Sequence, residues 1–168
     1  MPLFKSLSYI SLASYISLPF PCPFTFQIGE MYGPFDMAAI PIGAYKPRWF
    51  MKDVHCDPTE AVMIHKDLRS KKSMAIHWGT YPLAEEDPIE PALELARARD
   101  LFSLSTNDFF TMRHGETCNI KGDDVNDASM PADFATIQYP ELYKKFLLHR
   151  YEEEVNKKKT GQAEAEEG

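Results

Sequence analysis

Residues 73–80 read Ser-Met-Ala-Ile-His-Trp-Gly-Thr, and this stretch places a histidine directly after a short apolar run. The run is too short for a helix and follows the cationic Lys71 and Lys72, so it predicts a short buried strand that ends at His77. Ligands and metals are commonly held where strands of α/β domains end, and Gly79 permits a sharp turn there. His77 is therefore a candidate ligand, with a core histidine hydrogen-bonded to a neighbour as the alternative.

The composition limits the fold and the function classes. The chain has 168 residues, of which 44% are hydrophobic, and this is enough for one globular domain with a core. A formal net charge of -7 and the lack of a basic cluster among aromatics argue against nucleic-acid binding. Cys22, Cys56 and Cys118 form no Cys-x-x-Cys pair, so neither a disulfide framework nor a thiolate zinc site is expected. No apolar run reaches the length of about eighteen residues that a spanning helix needs.

Residues 1–26 differ from the rest of the chain in composition. They carry one charge, Lys5, and are rich in Ser, Leu, Tyr, Phe and Pro. A cation followed by an apolar stretch is weakly typical of a secretory signal, but serines interrupt the stretch and no Ala-x-Ala site follows it. We therefore expect an atypical, poorly ordered segment, with a secretory signal at residues 1–18 as the alternative.

The pattern between residues 27 and 51 predicts the end of a helix, a buried strand and an aromatic loop. Gly33 and Pro34 stop the helix. The apolar run 35–43 suits a strand buried on both faces of an α/β layer, with Pro41 at its end. The aromatics of residues 44–51 line an apolar pocket or pack in the core.

A capping-box pattern predicts the start of the next helix. Asp57 is a suitable N-cap, and Glu60 completes the box. The helix should run to about residue 70. Its predicted inner face consists of Ala61, Ile64 and Leu68. His55 lies in the loop just before this helix N-terminus, where a phosphate would bind well, and a solvated loop histidine is the alternative.

Two further elements complete the predicted domain. A helix near Glu90–Arg99 should bury a stripe formed by Leu93, Ala96 and Leu101. Residues 108–113 read as a last strand, which delivers His114 into a glycine turn. His65, next to Lys66 in the preceding helix, is expected at the surface.

The region beyond Cys118 is predicted to hold no chemistry. Residues 121–133 are rich in Gly, Asp and Asn and read as a linker, and residues 140–155 can form an amphipathic helix. The inward positions of that helix are predicted to be Leu142, Phe146 and Leu147. The charged stretch 157–168 is expected to be disordered.

Several ordered motifs resemble a known family. They are GPFDMAAIPIGAY at 33–45, PRWFM at 47–51, HxDPxEAV at 55–62, KSMAIHWGT at 72–80, DFF at 108–110 and HGE at 114–116. Over residues 27–118 the chain resembles the carboxyl-terminal part of N-acyl-phosphatidylethanolamine-hydrolysing phospholipase D. The resemblance implies an α/β fold, the carboxyl-terminal half of a metallo-β-lactamase αβ/βα sandwich. It also implies two zinc ions in the complete domain and cleavage of the lipid into an N-acylethanolamine and phosphatidic acid.

The resemblance assigns roles to three histidines. His77 is similar to the last zinc ligand of the family, and His55 to the active-site histidine beside the metals and near the phosphate. His114 is similar to a further pocket residue that contacts substrate. Asp36 belongs to a family motif, but it precedes its strand, so we interpret it as structural.

The chain also departs from the family pattern. The metal motif His-x-His-x-Asp-His is absent, and no histidine precedes His55. Residues 15–20 read Tyr-Ile-Ser-Leu-Pro-Phe, where the family carries the carboxylate of a Gly-Asp-Thr-Gly segment. A catalytic zinc needs about three protein ligands and an open position, so one retained ligand cannot hold it tightly.

These observations predict one domain with flanking segments. Residues 1–26 form the amino-terminal segment, 27–118 a partial metallo-β-lactamase domain, and 119–168 a linker, helix and charged tail. The expected function is a fragment or shortened form of the zinc phospholipase D, inactive alone. A non-catalytic half-domain that acts through protein interaction is the alternative, and a secreted protein is the third hypothesis. The expected partners are the phospholipid substrate, a membrane surface bound peripherally from inside the cell, and a second copy of the chain in a homodimer.

Overall fold

The chain forms a small parallel sheet with helices packed against it. A computed structural model describes residues 9–11, 23–82, 84–113, 115–117 and 140–160. In chain order its elements are β1 (Tyr9–Ser11), α1 (Pro23–Tyr32), β2 (Met37–Pro41), α2 (Arg48–Met51), α3 (Pro58–Asp67), β3 (Ser73–Ile76), α4 (Glu90–Phe102), β4 (Phe109–Phe110) and α5 (Pro140–Thr160). The α/β class predicted from the sequence is confirmed.

The sheet has the strand order β1-β2-β3-β4, and each neighbouring pair is parallel. Parallel neighbours need crossover connections, and α3 joins β2 to β3 while α4 joins β3 to β4. Ile40 pairs with Ala75 and Pro41 with Ile76, so β2 and β3 end side by side. The chain segments that leave these two strands therefore meet at one edge of the sheet.

The main core lies between the sheet and α3, with α4 packed on α3. Along β2 and β3, Ala38, Ile40 and Ala75 are buried, while the residues between them are half-buried. This alternation is typical of a sheet with one well-covered face. The predicted inner face of α3 is confirmed, because Ala61, Ile64 and Leu68 are all buried.

The capping box of α3 forms as predicted. The Asp57 carboxylate accepts from the Glu60 backbone N–H at 2.9 Å, and the Asp57 N–H donates to Glu60 Oε2 at 2.8 Å. Pro58 occupies the first turn, where its missing N–H costs nothing. A cap of this kind is worth about 1 kcal/mol of helix stability. The helix ends at Asp67 instead of residue 70, because Arg69 takes a left-handed conformation with φ 52°.

The predicted buried stripe of α4 is wrong at Leu101. Leu93 and Ala96 are buried, but the Leu101 side chain is 65% exposed. The buried residues of α4 lie between Pro91 and Arg99, and Leu101 lies beyond this stretch, in the last turn of the helix. The helix also continues to Phe102, three residues past the predicted end.

The prediction that His65 lies at the surface is also wrong. His65 is 5% exposed, its Nδ1 lies 2.8 Å from Ser73 Oγ, and its ring stacks on Phe109. Neighbouring residues of a helix point about 100° apart, so an exposed Lys66 does not imply that His65 is exposed as well. His65 therefore packs against Ser73 of β3 and Phe109 of β4.

The buried His65 imidazole should make stability fall on mild acidification. Burial is the main cause that lowers its pKa below the ordinary 6.5. The unfolded chain then takes up a proton before the folded chain does. The neutral His65 therefore contributes to the free energy of unfolding, and this contribution is complete above a pH of about 6.5. It is lost as the pH falls through the lowered pKa of the folded chain. Urea midpoints measured from about pH 8 to about pH 5 should fall more for the natural chain than for His65→Gln, and parallel profiles would contradict this.

The helix α5 packs on α4 through its middle. Phe146 contacts the cluster of Ala92 and Leu93, and Arg150 Nε lies 3.0 Å from Glu94 Oε1. Among the predicted inward positions, Phe146 is half-buried, Leu147 is 36% exposed, and the side chain of Leu142 is outside the described part.

The predicted division at residues 26 and 118 stays a prediction. Its first boundary falls inside α1, which is continuous from Pro23 to Tyr32. Of the segment 1–26, the structure describes residues 9–11, which pair with β2, and 23–26, which open α1. The whole of the predicted linker, residues 121–133, lies outside the described residues, as does the end of the charged tail, while α5 continues to Thr160.

Candidate functional site

The candidate site lies where β2 and β3 end. His77 follows β3 immediately and has φ 61°, a left-handed conformation that costs a non-glycine residue about 1–3 kcal/mol. Ala44, which follows β2 after Ile42 and Gly43, has φ 62°. Strained backbone of this kind occurs often at functional sites, so both turns mark this edge of the sheet as a candidate.

A glycine allows the two strand ends to approach each other closely. A Cβ atom at Gly43 would lie 2.0 Å from the His77 carbonyl oxygen, far inside the contact limit. The Ile42 N–H donates to the Ile76 carbonyl at 3.0 Å and continues the ladder up to this point. The His77 backbone can therefore lie this close to β2 only because residue 43 has no side chain.

The structure brings together two of the three predicted site histidines. His55 lies in the loop between α2 and α3, and its ring centroid is 5.2 Å from that of His77, with the planes at 37°. His77 is exposed to solvent, whereas His55 is half-buried. The third predicted residue, His114, lies outside the described residues.

The surroundings of His55 favour its neutral form. Burial is the main cause that lowers its pKa below the usual value, and the neighbouring His77 adds to this. The Glu86 carboxylate acts in the opposite direction, and Arg48 again lowers the pKa. The Nδ1 atom of His55 is buried and has no hydrogen-bond partner among the described residues. A neutral imidazole with a free ring nitrogen can bind a proton, a metal ion or a polar group of a ligand.

A cavity of about 250 Å³ lies beside His77. It is lined by Gly43, Ala44, His77, Trp78, Gly79, Thr80, Tyr81, Glu86, Pro88 and Pro91. Glu86 is only 8% exposed, and its carboxylate accepts from the N–H groups of Ala44, at 2.5 Å, and Lys46, at 3.0 Å. This buried carboxylate holds the loop after β2 against the cavity.

Sequence reasoning did not find Glu86. It is one of three consecutive acidic residues in a polar loop, and nothing local distinguishes it from Glu85 and Asp87. Its partners lie some forty residues earlier in the chain, so the tertiary fold alone selects it. An acidic residue buried by long-range contacts leaves no periodic signal in the sequence.

The aromatic loop combines core and surface positions. Tyr45 is 5% exposed, and its hydroxyl donates to Glu90 Oε1 at 2.6 Å. Burial first, and then the bond to Glu90, raises the pKa of Tyr45 above its usual range. Trp49 and Phe50 on α2 are 78% and 64% exposed. Of the two predictions for this loop, core packing therefore holds for Tyr45, while Trp49 and Phe50 are at the surface.

Cys56 lies next to His55 but is not suited to nucleophilic chemistry. Its thiol donates to the Pro41 carbonyl, with the sulfur 3.2 Å from the oxygen. Burial raises the pKa of Cys56 to about 12, so the reactive thiolate is scarce at neutral pH. Cys56 is a free thiol that holds the loop to the end of β2.

The described residues do not fit a complete zinc site. Zinc is held by about three nitrogen, sulfur or oxygen ligands from the protein. Within the described ranges no group of three or more His, Cys, Asp or Glu side chains is arranged to hold a metal ion. His55 and His77 alone provide two imidazoles, so any metal bound here needs donors from elsewhere.

Parts of the chain are similar to known proteins. Residues 22–78 match the model of the beta-lactamase superfamily domain. The chain is 50% identical over 94 residues to N-acyl-phosphatidylethanolamine-hydrolyzing phospholipase D 1 of Caenorhabditis elegans, which is 54% of this chain and 26% of that protein. It is 39% identical over 70 residues to the mitochondrial N-acyl-phosphatidylethanolamine-hydrolyzing phospholipase D of Saccharomyces cerevisiae, which is 41% of this chain and 15% of that protein.

The matches cover part of each relative. The chain spans about a quarter of the length of the Caenorhabditis elegans protein. Among solved structures, a metallo hydrolase from Ignicoccus hospitalis is 26% identical with a TM-score of 0.37, covering 55% of this chain and 33% of that one. Over residues 22–78 the chain is therefore similar to the beta-lactamase superfamily domain, and over 94 and 70 residues it is similar to two phospholipases D that hydrolyse N-acyl-phosphatidylethanolamine.

Proposed function

We propose that this chain is a fragment or shortened form of a zinc-dependent phospholipase D. The complete enzyme hydrolyses N-acyl-phosphatidylethanolamine to an N-acylethanolamine and phosphatidic acid, and the chain alone does not catalyse this reaction. The observation that supports the proposal best is the contact between His55, in the loop before α3, and His77, at the end of β3. The chain that holds this contact is 50% identical over 94 residues to such an enzyme.

The residues of the site suit a phosphodiester. His55 lies in the loop just before α3, and the dipole of this helix favours an anion such as a phosphate at its N-terminal end. Its lowered pKa keeps the imidazole neutral near neutral pH, so it can exchange a proton with an oxygen of the lipid headgroup. His77, exposed at the mouth of the cavity, is the residue we propose as a zinc ligand.

Inactivity of the chain alone follows from the number of ligands. A hydrolytic zinc site needs about three protein ligands and a bound water, and two-metal sites need more. This sequence carries no His-x-His-x-Asp-His motif. Further donors must come from another segment or another molecule before the site can work.

Zinc bound by the purified chain tests this proposal. After dialysis against trace zinc, we expect far less than one zinc per chain by atomic absorption. The same result is expected for His77→Ala, because two imidazoles alone do not retain the ion. If the natural chain bound one zinc or more per chain and His77→Ala did not, the proposal that the chain is inactive because it lacks zinc ligands would be contradicted. Such a result would instead mean that the chain completes the site, for instance as a homodimer.

A non-catalytic interaction role is the second candidate, and the exposed aromatics favour it. Trp49 and Phe50 contact each other with ring centroids 5.8 Å apart, and most of their surface faces solvent. Exposed apolar groups of this size are typical of interaction surfaces. Stoichiometric co-sedimentation of the zinc-free chain with the full-length Caenorhabditis elegans relative would support this role, and separate sedimentation would oppose it.

The partners and location follow from the proposed substrate. We propose a phospholipid substrate, peripheral association with an intracellular membrane, and a homodimer as the assembled form. Among the described residues, no helix combines the length and apolarity needed to cross a membrane. A secretory signal at residues 1–18 remains the alternative for targeting.

A further inference from the structure

The His55 ring has no hydrogen bond of its own among the described residues. Its Nδ1 is buried without a partner there, and its ring contacts that of His77 with the centroids 5.2 Å apart. A ring without such a bond is oriented by packing and by the backbone that carries it. The position of His55 therefore depends on how firmly residues 55–57 are held.

Hydrogen bonds hold the segment 55–57 at each of its three residues. The His55 carbonyl accepts from Arg48 Nη1 at 2.8 Å, and the His55 N–H donates to the Met51 carbonyl at 2.8 Å. Cys56 donates its thiol to the Pro41 carbonyl, and the Asp57 N–H donates to Glu60 Oε2 at 2.8 Å. Arg48 connects two of these contacts, that of the His55 carbonyl and, through Glu60, that of the Asp57 N–H.

The Arg48 guanidinium joins His55 to the start of α3. Its Nη2 donates to both carboxylate oxygens of Glu60 at 2.6 Å, while its Nη1 donates to the His55 carbonyl. The same Glu60 carboxylate accepts the Asp57 N–H in the capping box. A planar guanidinium donates from several nitrogen atoms at fixed angles, whereas a lysine ammonium carries its three N–H donors on one nitrogen, which cannot occupy the positions of both Nη1 and Nη2.

We propose that Arg48 is a positioning residue, which holds the His55 ring against His77 by tying the His55 carbonyl to the capping box of α3. The inference rests on the proposed function, because the position of His55 matters for catalysis only if this site acts on substrate. The contact itself exists in the chain without zinc or lipid, so it can be measured without activity.

The test is an NMR measurement on the isotope-labelled full chain. In the natural chain, a nuclear Overhauser cross-peak should connect ring protons of His55 and His77. In Arg48→Lys the ion pair to Glu60 can re-form, but the bridge to the His55 carbonyl cannot. We expect the cross-peak to disappear while the amide spectrum of α3, α4, β2 and β3 remains that of a folded chain.

Arg69→Lys is the matched control. Arg69 also donates to a backbone carbonyl, that of Gly29, and its Nη1 lies 3.4 Å from Glu30 Oε1, but these partners belong to α1. The proposal predicts that Arg69→Lys keeps the His55–His77 cross-peak. Loss of the cross-peak in both variants would overturn the proposal, since general loosening would then explain it. A cross-peak of natural strength in folded Arg48→Lys would overturn it as well.

A second variant covers the case in which Arg48→Lys does not fold. Glu60→Gln keeps one carbonyl oxygen that can accept from the Asp57 N–H, but it removes the negative charge that forms the ion pair with Arg48. We expect a weaker cross-peak in this variant, and a cross-peak of natural strength would overturn the proposal. Because no variant requires zinc or substrate, such a result would leave the proposed function untouched, just as failure of the zinc experiment would leave the role of Arg48 untouched.

Discussion

Replacing Gly43 with alanine should lower the free energy of unfolding by about 3 kcal/mol and separate His55 from His77. The added Cβ would lie 2.0 Å from the His77 carbonyl oxygen and 3.1 Å from its carbonyl carbon. Both atoms belong to the backbone, so no flexible side chain can move aside. The segment that leaves β3 has to shift, and His77 shifts with it. Urea unfolding gives the loss of stability, and the NMR cross-peak between the two rings reports their separation.

Gly29→Ala is the matched control for this substitution. A Cβ at Gly29 would lie 1.9 Å from the Asp67 carbonyl oxygen, where α1 crosses the end of α3. The clash is as severe as at Gly43, so a similar loss of stability is expected. The cross-peak between His55 and His77 should survive in every molecule that remains folded. If both alanines left the cross-peak intact, Gly43 would not control the position of His77.

Local signals in the sequence account for the elements that carry the site. The apolar run before His77 and the glycine after it predict a strand that ends at this histidine, and β3 ends at Ile76. The box of Asp57 and Glu60 predicts the start of α3, and both reciprocal bonds form. These features depend on residues close together in the chain, so periodicity and capping rules can detect them.

Features that depend on long-range contacts could not be predicted in this way. Glu86 binds the loop at Ala44 and Lys46, and His65 is buried against Ser73 and Phe109. Glutamate is mostly solvent-exposed and histidine is intermediate in burial, and it is the tertiary packing that buries both residues here. The contact between His55 and His77 is also tertiary, since resemblance assigned each a role but no spacing predicted a ring distance of 5.2 Å.

The mistaken stripe on α4 shows a limit of periodicity. Leu93, Ala96 and Leu101 fit a helical repeat loosely, yet the buried face includes nearly every residue from Pro91 to Arg99. A helix packed on two neighbours buries a wide arc, and α4 contacts both α3 and α5. In a helix that is buried over a wide arc, the spacing of apolar residues does not identify the face that is exposed to solvent.

Truncating Leu95 to alanine should destabilise the chain by about 3 kcal/mol, because its side chain is completely buried between α4 and the main core. The loss combines the transfer free energy of the removed methyl groups with the cavity left behind. Urea unfolding of the natural chain and the variant, with the slope checked for constancy, measures the difference.

Leu101→Ala provides the same chemical change on the same helix at a solvent-exposed position. Its side chain is 65% exposed, so the expected change is within about 0.5 kcal/mol. Both variants replace leucine by alanine in α4, so helix propensity cancels between them and only burial differs. A loss at Leu101 that equals the loss at Leu95 would mean that another surface covers this side of α4 in solution. That result would also show that the outer face of the helix is an interface and would strengthen the interaction role over the catalytic one.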